Sequence, residues 1–307
     1  MGGGGSKYWK SSEGDILKKI QNAENQSQKA TYDSRVADFL SSSLGEFNNR
    51  DNDEIKKRIT TIKTLLGKDI DGVISTQFGG SIAKRTHVDG LSDVDTLVIL
   101  NDTSLADKTP AEVLDYFYNK LNEKFPNKVD KGDMSVTVNV DDRSIQLLPA
   151  LKYKSGIKIS DDGEWSNIVN PSVFARKLSI MNQNLNGKLI PAIKLIKAMV
   201  ANLPESAKLK GYHVESLAVE IFSKNQQSVV NNIKDVVVGF FKESPNLVKN
   251  PIKDTTGQTF YVDEYLGNKQ SVSRLIAADA LERISRRIGI AESSCQNDIW
   301  ETLINGS

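Results

Sequence analysis

The sequence predicts an α+β fold: a lead and helix over residues 1–30, a sheet lobe over 31–170 and a helical lobe over 171–307. Three observations carry this reading. Short segments of strand character, at 73–78, 96–100, 135–140 and 145–150, all fall in the first 170 residues. After Asn170-Pro171-Ser172 the apolar residues recur at three- and four-residue intervals, the period of a helix packed on one face. Between the first two strand segments, Gly79-Gly80-Ser81 precedes Asp93-Val94-Asp95 by twelve residues, and that triplet runs straight into an apolar strand.

Taken in order, residues 13–27 read as a polar-rich helix that 31–49 continues, with Val36, Phe39, Leu40 and Leu44 at helical spacing. Asp53 starts a second helix with the stripe Ile55, Ile59, Ile62 and Leu66, and both stripes are expected to pack on the sheet. Residues 110–124 form a helix with Pro110 in its first turn and Thr109 as N-cap, ended by Phe125-Pro126. A hairpin follows: Val136, Val138 and Val140 alternate, Asp141-Asp142-Arg143 turn, and Ile145 and Leu147 resume the alternation. Gln146 then points away from the Ile145 and Leu147 face. Residues 154–166 read as loop. Helices are expected at 171–184, 189–201, 209–222, 231–242 and 271–289, with a loop at 254–259 and a turn at Asp263-Glu264-Tyr265. No internal repeat is present.

Composition narrows the function classes. The balance of 40 Lys and Arg against 39 Asp and Glu gives a net charge of +1, which argues against stable, sequence-independent nucleic-acid binding. Basic clusters at Lys56-Lys57-Arg58, Lys152-Tyr153-Lys154 and Arg283 with Arg286-Arg287 read as solvated helix faces. A single cysteine, Cys295, excludes an internal disulfide framework. With only His87 and His213, a histidine-based metal site is not expected, and His213 is expected to pack or hydrogen-bond. There is no apolar run of membrane-spanning length and no signal-peptide core after the Gly2–Gly5 run, so the chain reads as cytoplasmic.

The chemistry lies in the glycine turn and the two aspartates. Residues i and i+2 of a strand share a face, so Asp93 and Asp95 point the same way while Val94 enters the core. Such a pair suits Mg²⁺ (or Mn²⁺), hard cations that take oxygen ligands and stabilise an in-line phosphoryl displacement. Gly80 brings backbone N–H groups close to phosphate, and Ser81 adds a hydroxyl.

Gly80-Ser81 with Ser92-Asp93-Val94-Asp95 resembles the signature of the DNA polymerase β-type nucleotidyltransferase superfamily. Within it, the chain is similar to the bacterial CD-NTases of antiphage defence, relatives of cyclic GMP-AMP synthase and oligoadenylate synthetase. The segments 135–140, 145–150 and 209–217 stand where that group has comparable ones, so the likeness spans about residues 30–290. The resemblance implies a polymerase β-like sheet lobe with a helical second lobe. It implies metal-dependent joining of nucleoside triphosphates into a cyclic or linear oligonucleotide, with release of pyrophosphate. The product would act on an effector protein encoded nearby. Asp93 and Asp95 would be catalytic and hold the metal, and Gly80 and Ser81 would bind phosphate. A lysine of the 189–201 helix, Lys197 first, would meet the triphosphate, with Lys210 and Tyr212 at the nucleotide. For Tyr212, stacking on a base and burial in the core are both open.

The chain departs from the family at one site position. The usual third carboxylate, in an Asp-x-x-Pro pattern, is replaced by Gln146 ahead of Pro149. An amide oxygen can coordinate a metal but cannot serve as a general base. Three readings stand: two carboxylates suffice with substrate phosphates completing the metal shell, Asp141 or Asp142 substitutes, or the chain binds nucleotide without turnover. Transfer to an RNA end, an antibiotic or a protein hydroxyl, including self-modification at Tyr261 or Tyr265, is the other open class.

Overall fold

The computed structural model describes residues 13–48, 52–140, 143–224 and 230–306, and the Gly2–Gly5 run, Asp141 and Asp142 lie outside them. In chain order the first half comprises α1 (Glu13–Phe47), α2 (Asn52–Leu66), β1 (Ser75–Phe78), α3 (Gly80–Ala83), β2 (Val94–Ile99), α4 (Pro110–Lys124), β3 (Val129–Lys131), β4 (Val136–Val140), β5 (Arg143–Tyr153), β6 (Gly156–Asp161) and β7 (Glu164–Trp165). The second half is helical: α5 (Pro171–Asn184), α6 (Leu189–Ala201), α7 (Gly211–Lys224), α8 (Ile233–Leu247), α9 (Val272–Ser294) and α10 (Asp298–Asn305).

The strands form one mixed sheet in the order β1-β2-β5-β4-β3, with β6 added to the far end of β5 and β7 to β6. Among the described strands only β2 and β5 run parallel, in a register that sets Asp95 opposite Gln146. One face of this sheet is covered by α2 and α4. Ile55, Ile59, Ile62 and Leu66 pack there with Val113, Phe117 and Leu121, against Val94, Val98, Val136, Ile145 and Leu147. α4 starts on a reciprocal cap: the Thr109 hydroxyl accepts from the Glu112 N–H, and the Glu112 carboxylate accepts from the Thr109 N–H.

Three expectations are corrected. Residues 13–27 and their continuation form one helix, α1, as expected, but its stripe does not meet the sheet. Tyr32, Val36 and Leu40 are buried in the helical lobe with residues of α6 to α10. Amphipathic spacing shows that a helix has a buried face but not which surface covers it. The 154–166 segment is not loop: Tyr153 pairs with Gly156 and Asp161 with Glu164. Asp162 and Gly163 both have positive φ, 48° and 82°, as a two-residue hairpin turn requires. The last helix does not end at 289 but runs to Ser294, and α10 follows it, burying Trp300, Leu303 and Ile304. The Trp300 N–H donates to the Tyr32 hydroxyl at 2.8 Å, which donates to Glu292 at 2.8 Å, tying the C-terminal helix to α1. Among the described residues no helix is long and apolar enough to cross a membrane.

Candidate active site

β1 delivers the chain to Gly79, whose N–H donates to the Asp95 carbonyl at 2.9 Å. Gly80 follows with φ +46°, and a Cβ on it would stand 1.6 Å from Asp95 Oδ2. Only glycine fits, because both the backbone conformation and the space exclude a side chain. The Ser81 N–H donates to the Asp95 carboxylate, so the glycine turn is closed directly onto the strand that bears the aspartates. The Ser81 hydroxyl lies 3.4 Å from His87 Nδ1.

Asp93 is exposed at the mouth of β2, Val94 and Thr96 are buried, and Asp95 is half-buried between them, the alternation that the sequence predicts. Burial raises the Asp95 carboxyl above its ordinary value; the Ser81 N–H and the Lys84 charge oppose this, and the neighbouring Asp93 charge adds to it. Gln146 projects from the exposed face of β5, while Ile145 and Leu147 enter the core. Its amide Nε2 donates to Asp93 Oδ2 at 3.3 Å. The structure thus brings Gly80, Ser81, Asp93, Asp95 and Gln146 together.

The site opens into a cleft of about 540 Å³ between the lobes, lined by Gly79, Gly80, Lys84 and Asp95 on one side and Asn170, Phe174 and Tyr212 on another. Tyr212 forms part of the wall. Its ring meets Phe174 edge-on at 4.8 Å, and its hydroxyl donates to Asp254 Oδ1 at 2.8 Å. Burial and the Asp254 carboxylate both raise the Tyr212 phenol, keeping it protonated.

Lys197 and Lys210 do not line this cleft. Lys197 is buried, and its ammonium donates to Glu215 Oε1 at 2.7 Å and to the Thr86 carbonyl at 3.1 Å. Burial pushes Lys197 below the usual lysine range against the pull of Glu215. Lys210 is exposed, with its ammonium 4.9 Å above the Tyr265 ring. The Tyr265 hydroxyl accepts the Lys210 N–H at 3.0 Å and meets His213 Nδ1 at 2.9 Å. His213 is fully buried, as a packing and hydrogen-bonding residue.

Sequence reasoning missed the cations that do reach the cleft. Lys84 lies three positions after Ser81, so the short helix that opens at Gly80 was the available signal. Lys152 and Lys154 line the cleft from the end of β5 and the residue after it, not from a helix face. The other two basic clusters behave as solvated faces: Arg58 pairs with Glu54, Arg283 with Asp279 and Arg286 with Glu282, each one turn away.

Among the described residues no group of three or more His, Cys, Asp or Glu side chains is gathered as a closed metal cage. Two carboxylates and one amide make a hard, all-oxygen donor set. They fit a Mg²⁺-type ion whose remaining ligands come from water and substrate.

A sheet with this parallel β2–β5 pair, carrying a Gly-Ser turn against strand-borne aspartates and closed by a helical lobe, defines a class: the polymerase β-like nucleotidyltransferases. Residues 30–182 match the Second Messenger Oligonucleotide or Dinucleotide Synthetase domain, and this segment belongs to that family of nucleotidyltransferases. No curated protein sequence matches the chain significantly. Solved structures share its fold at low identity. A STING-associated CdnE c-di-GMP synthase from Capnocytophaga granulosa is 17% identical with a TM-score of 0.61, covering 83% of this chain and 87% of the other. CdnC from E. coli MS115-1, solved with ATP, is 15% identical at a TM-score of 0.61, covering 88% and 98%. The cyclic AMP-GMP synthase DncV of Vibrio cholerae is 12% identical at a TM-score of 0.60, covering 95% and 90%.

Proposed function

We propose that the chain joins purine nucleoside triphosphates into a cyclic dinucleotide or a related short oligonucleotide and releases pyrophosphate. The observation that carries this reading is the closure of Gly80 and Ser81 onto Asp95, with Asp93 and Gln146 beside it, at the mouth of an interlobe cleft. Asp93 and Asp95 would hold Mg²⁺ or Mn²⁺, which when bound supplies Lewis-acid stabilisation of charge on the reacting phosphate. Gly80 lets the backbone approach the phosphates, and Lys84, Lys152 and Lys154 offset their charge along the cleft. Tyr212 and Phe174 offer aromatic surface for a base. A ribose hydroxyl of one nucleotide attacks the α-phosphorus of another, and pyrophosphate leaves. Gln146 cannot accept the hydroxyl proton, and in this reading an aspartate of the pair takes it. The c-di-GMP and cyclic AMP-GMP products named for the structural neighbours support ATP and GTP as substrates. The setting we propose is the bacterial cytoplasm, with the product switching on an effector protein in antiphage defence.

Incubation with the four ribonucleoside triphosphates and Mg²⁺ or Mn²⁺ tests this reading, with products resolved by chromatography and mass spectrometry. A phosphodiester-linked product that disappears in the Asp93→Ala/Asp95→Ala variant is expected. Absence of any product, with nucleotide still bound, would favour the second reading that Gln146 supports: a nucleotide-binding partner without turnover. Self-modification at Tyr265 is disfavoured by the hydroxyl's engagement with Lys210 and His213.

A further inference from the structure

Behind the cleft wall lies a buried charge cluster that joins the two lobes. Glu215, on α7, has no exposed surface, so it cannot touch a substrate. Lys197 of α6 pairs with its Oε1 at 2.7 Å, and Lys84, the C-cap of α3, pairs with Oε2. The Thr86 hydroxyl donates to the same carboxylate. Burial disfavours the charged form of Glu215, yet the two ammonium groups outweigh it and hold the carboxyl below its ordinary value.

The two lysines are not equivalent. Lys197 is sealed in and neutralised by Glu215. Lys84 borders the cleft, with its ammonium 4.8 Å above the Tyr212 ring and 5.5 Å from the Phe174 ring centre. A cation at this distance from an aromatic face is held by the ring quadrupole as well as by the carboxylate behind it. Lys84 follows the Gly80-Ser81 turn by one helical turn, so it is the described cation nearest along the chain to that turn.

We propose that Glu215 is a positioning residue: it draws the Lys84 ammonium back against Tyr212 and Phe174, and so sets the cleft's affinity for a nucleoside triphosphate. This rests on the function proposed above. An arriving triphosphate competes with Glu215 for one ammonium group. The carboxylate therefore weakens nucleotide binding while it holds the two lobes together, two effects of opposite sign from one side chain.

The opposition makes the inference testable by equilibrium binding. The probe is α,β-methylene-ATP with Mg²⁺, whose bridging carbon blocks pyrophosphate release, measured by calorimetry beside the melting temperature of each variant. Glu215→Gln is expected to lower the melting temperature, because Lys197 loses its buried counter-charge. It is also expected to tighten binding by on the order of tenfold, the effect of one charge at an effective dielectric of about 20 after screening. Lys84→Met is expected to weaken binding by about as much. In the Glu215→Gln/Lys84→Met double variant the gain should vanish. Weaker binding in Glu215→Gln, or a gain that survives without Lys84, would overturn the inference. Should Glu215→Gln fail to fold, Lys84→Met decides the matter, since an unchanged affinity there removes the cation on which Glu215 is said to act. No binding by the wild-type chain would overturn the proposed function, and with it this inference.

Discussion

Gly80 and Asp95 share one space: the position a Cβ would take on residue 80 lies 1.6 Å from a carboxylate oxygen of residue 95. The glycine therefore fixes where the carboxylate stands, and the carboxylate in turn accepts the N–H of Ser81.

Substituting Gly80→Ala should displace that carboxylate. The added methyl group must push Asp95 aside, and φ +46° is costly for alanine by about 1 kcal/mol or more. A 1 Å displacement of a reacting group costs on the order of a hundredfold in rate. Turnover should fall by at least that factor while circular dichroism stays unchanged, and full turnover would remove Asp95 from the site.

Restoring a carboxylate at Gln146 should couple stability to the metal. The present amide donates to Asp93 Oδ2, whereas Gln146→Asp replaces that donor with a like charge. Without divalent ions the variant should melt at a lower temperature than the wild-type chain. With Mg²⁺ it should gain more stability than the wild-type chain gains. Equal responses of the two chains to Mg²⁺ would separate residue 146 from the metal.

His213 makes stability depend on pH. Burial lowers its pKa to about 4, opposed by the Asp263 carboxylate and assisted by the Arg274 charge, while the Tyr265 hydroxyl meets its other nitrogen. The folded value lies below the ordinary one of about 6.5, so the unfolded chain binds the proton more readily. The contribution is thus complete above pH 6.5 and is lost as pH falls towards 4, amounting to about 3 kcal/mol. Urea midpoints measured across that window should decline, and His213→Gln should flatten the decline.

Trp300→Ala should cost about 3–5 kcal/mol, since Trp300 is fully buried and its N–H bonds Tyr32. Trp300→Phe should recover most of the packing but leave the Tyr32 hydroxyl without its donor. Denaturant melts of the two variants would separate packing from the hydrogen bond. Near-equal losses would mean the hydrogen bond dominates.

What the sequence disclosed follows the range of its signals. The bounds of α4, α5 and α6 match the expected ones because Thr109-Pro110, Asn170-Pro171 and the apolar run after Lys188 are local chemistry. Asp93, Asp95 and Gln146 were legible because a strand fixes which way alternate side chains point. The β6–β7 hairpin was missed, although Asp162-Gly163 is a two-residue turn signal, because the flanking residues are too polar to read as strands. The surface that receives α1 was beyond reach, as was the meeting of Thr86 with Glu215 across 129 positions. Neither leaves a local trace, because both depend on how the lobes pack.

The burial of α1 among the helices of the second lobe has a mechanical consequence. The chain passes from the helical body to the sheet after Phe47 and returns near Asn170, so two covalent connections bridge the lobes. Opening of the cleft would have to strain both crossings and part Glu215 from Lys84 and Thr86, so the lobes are fastened through the chain and through a buried charge alike.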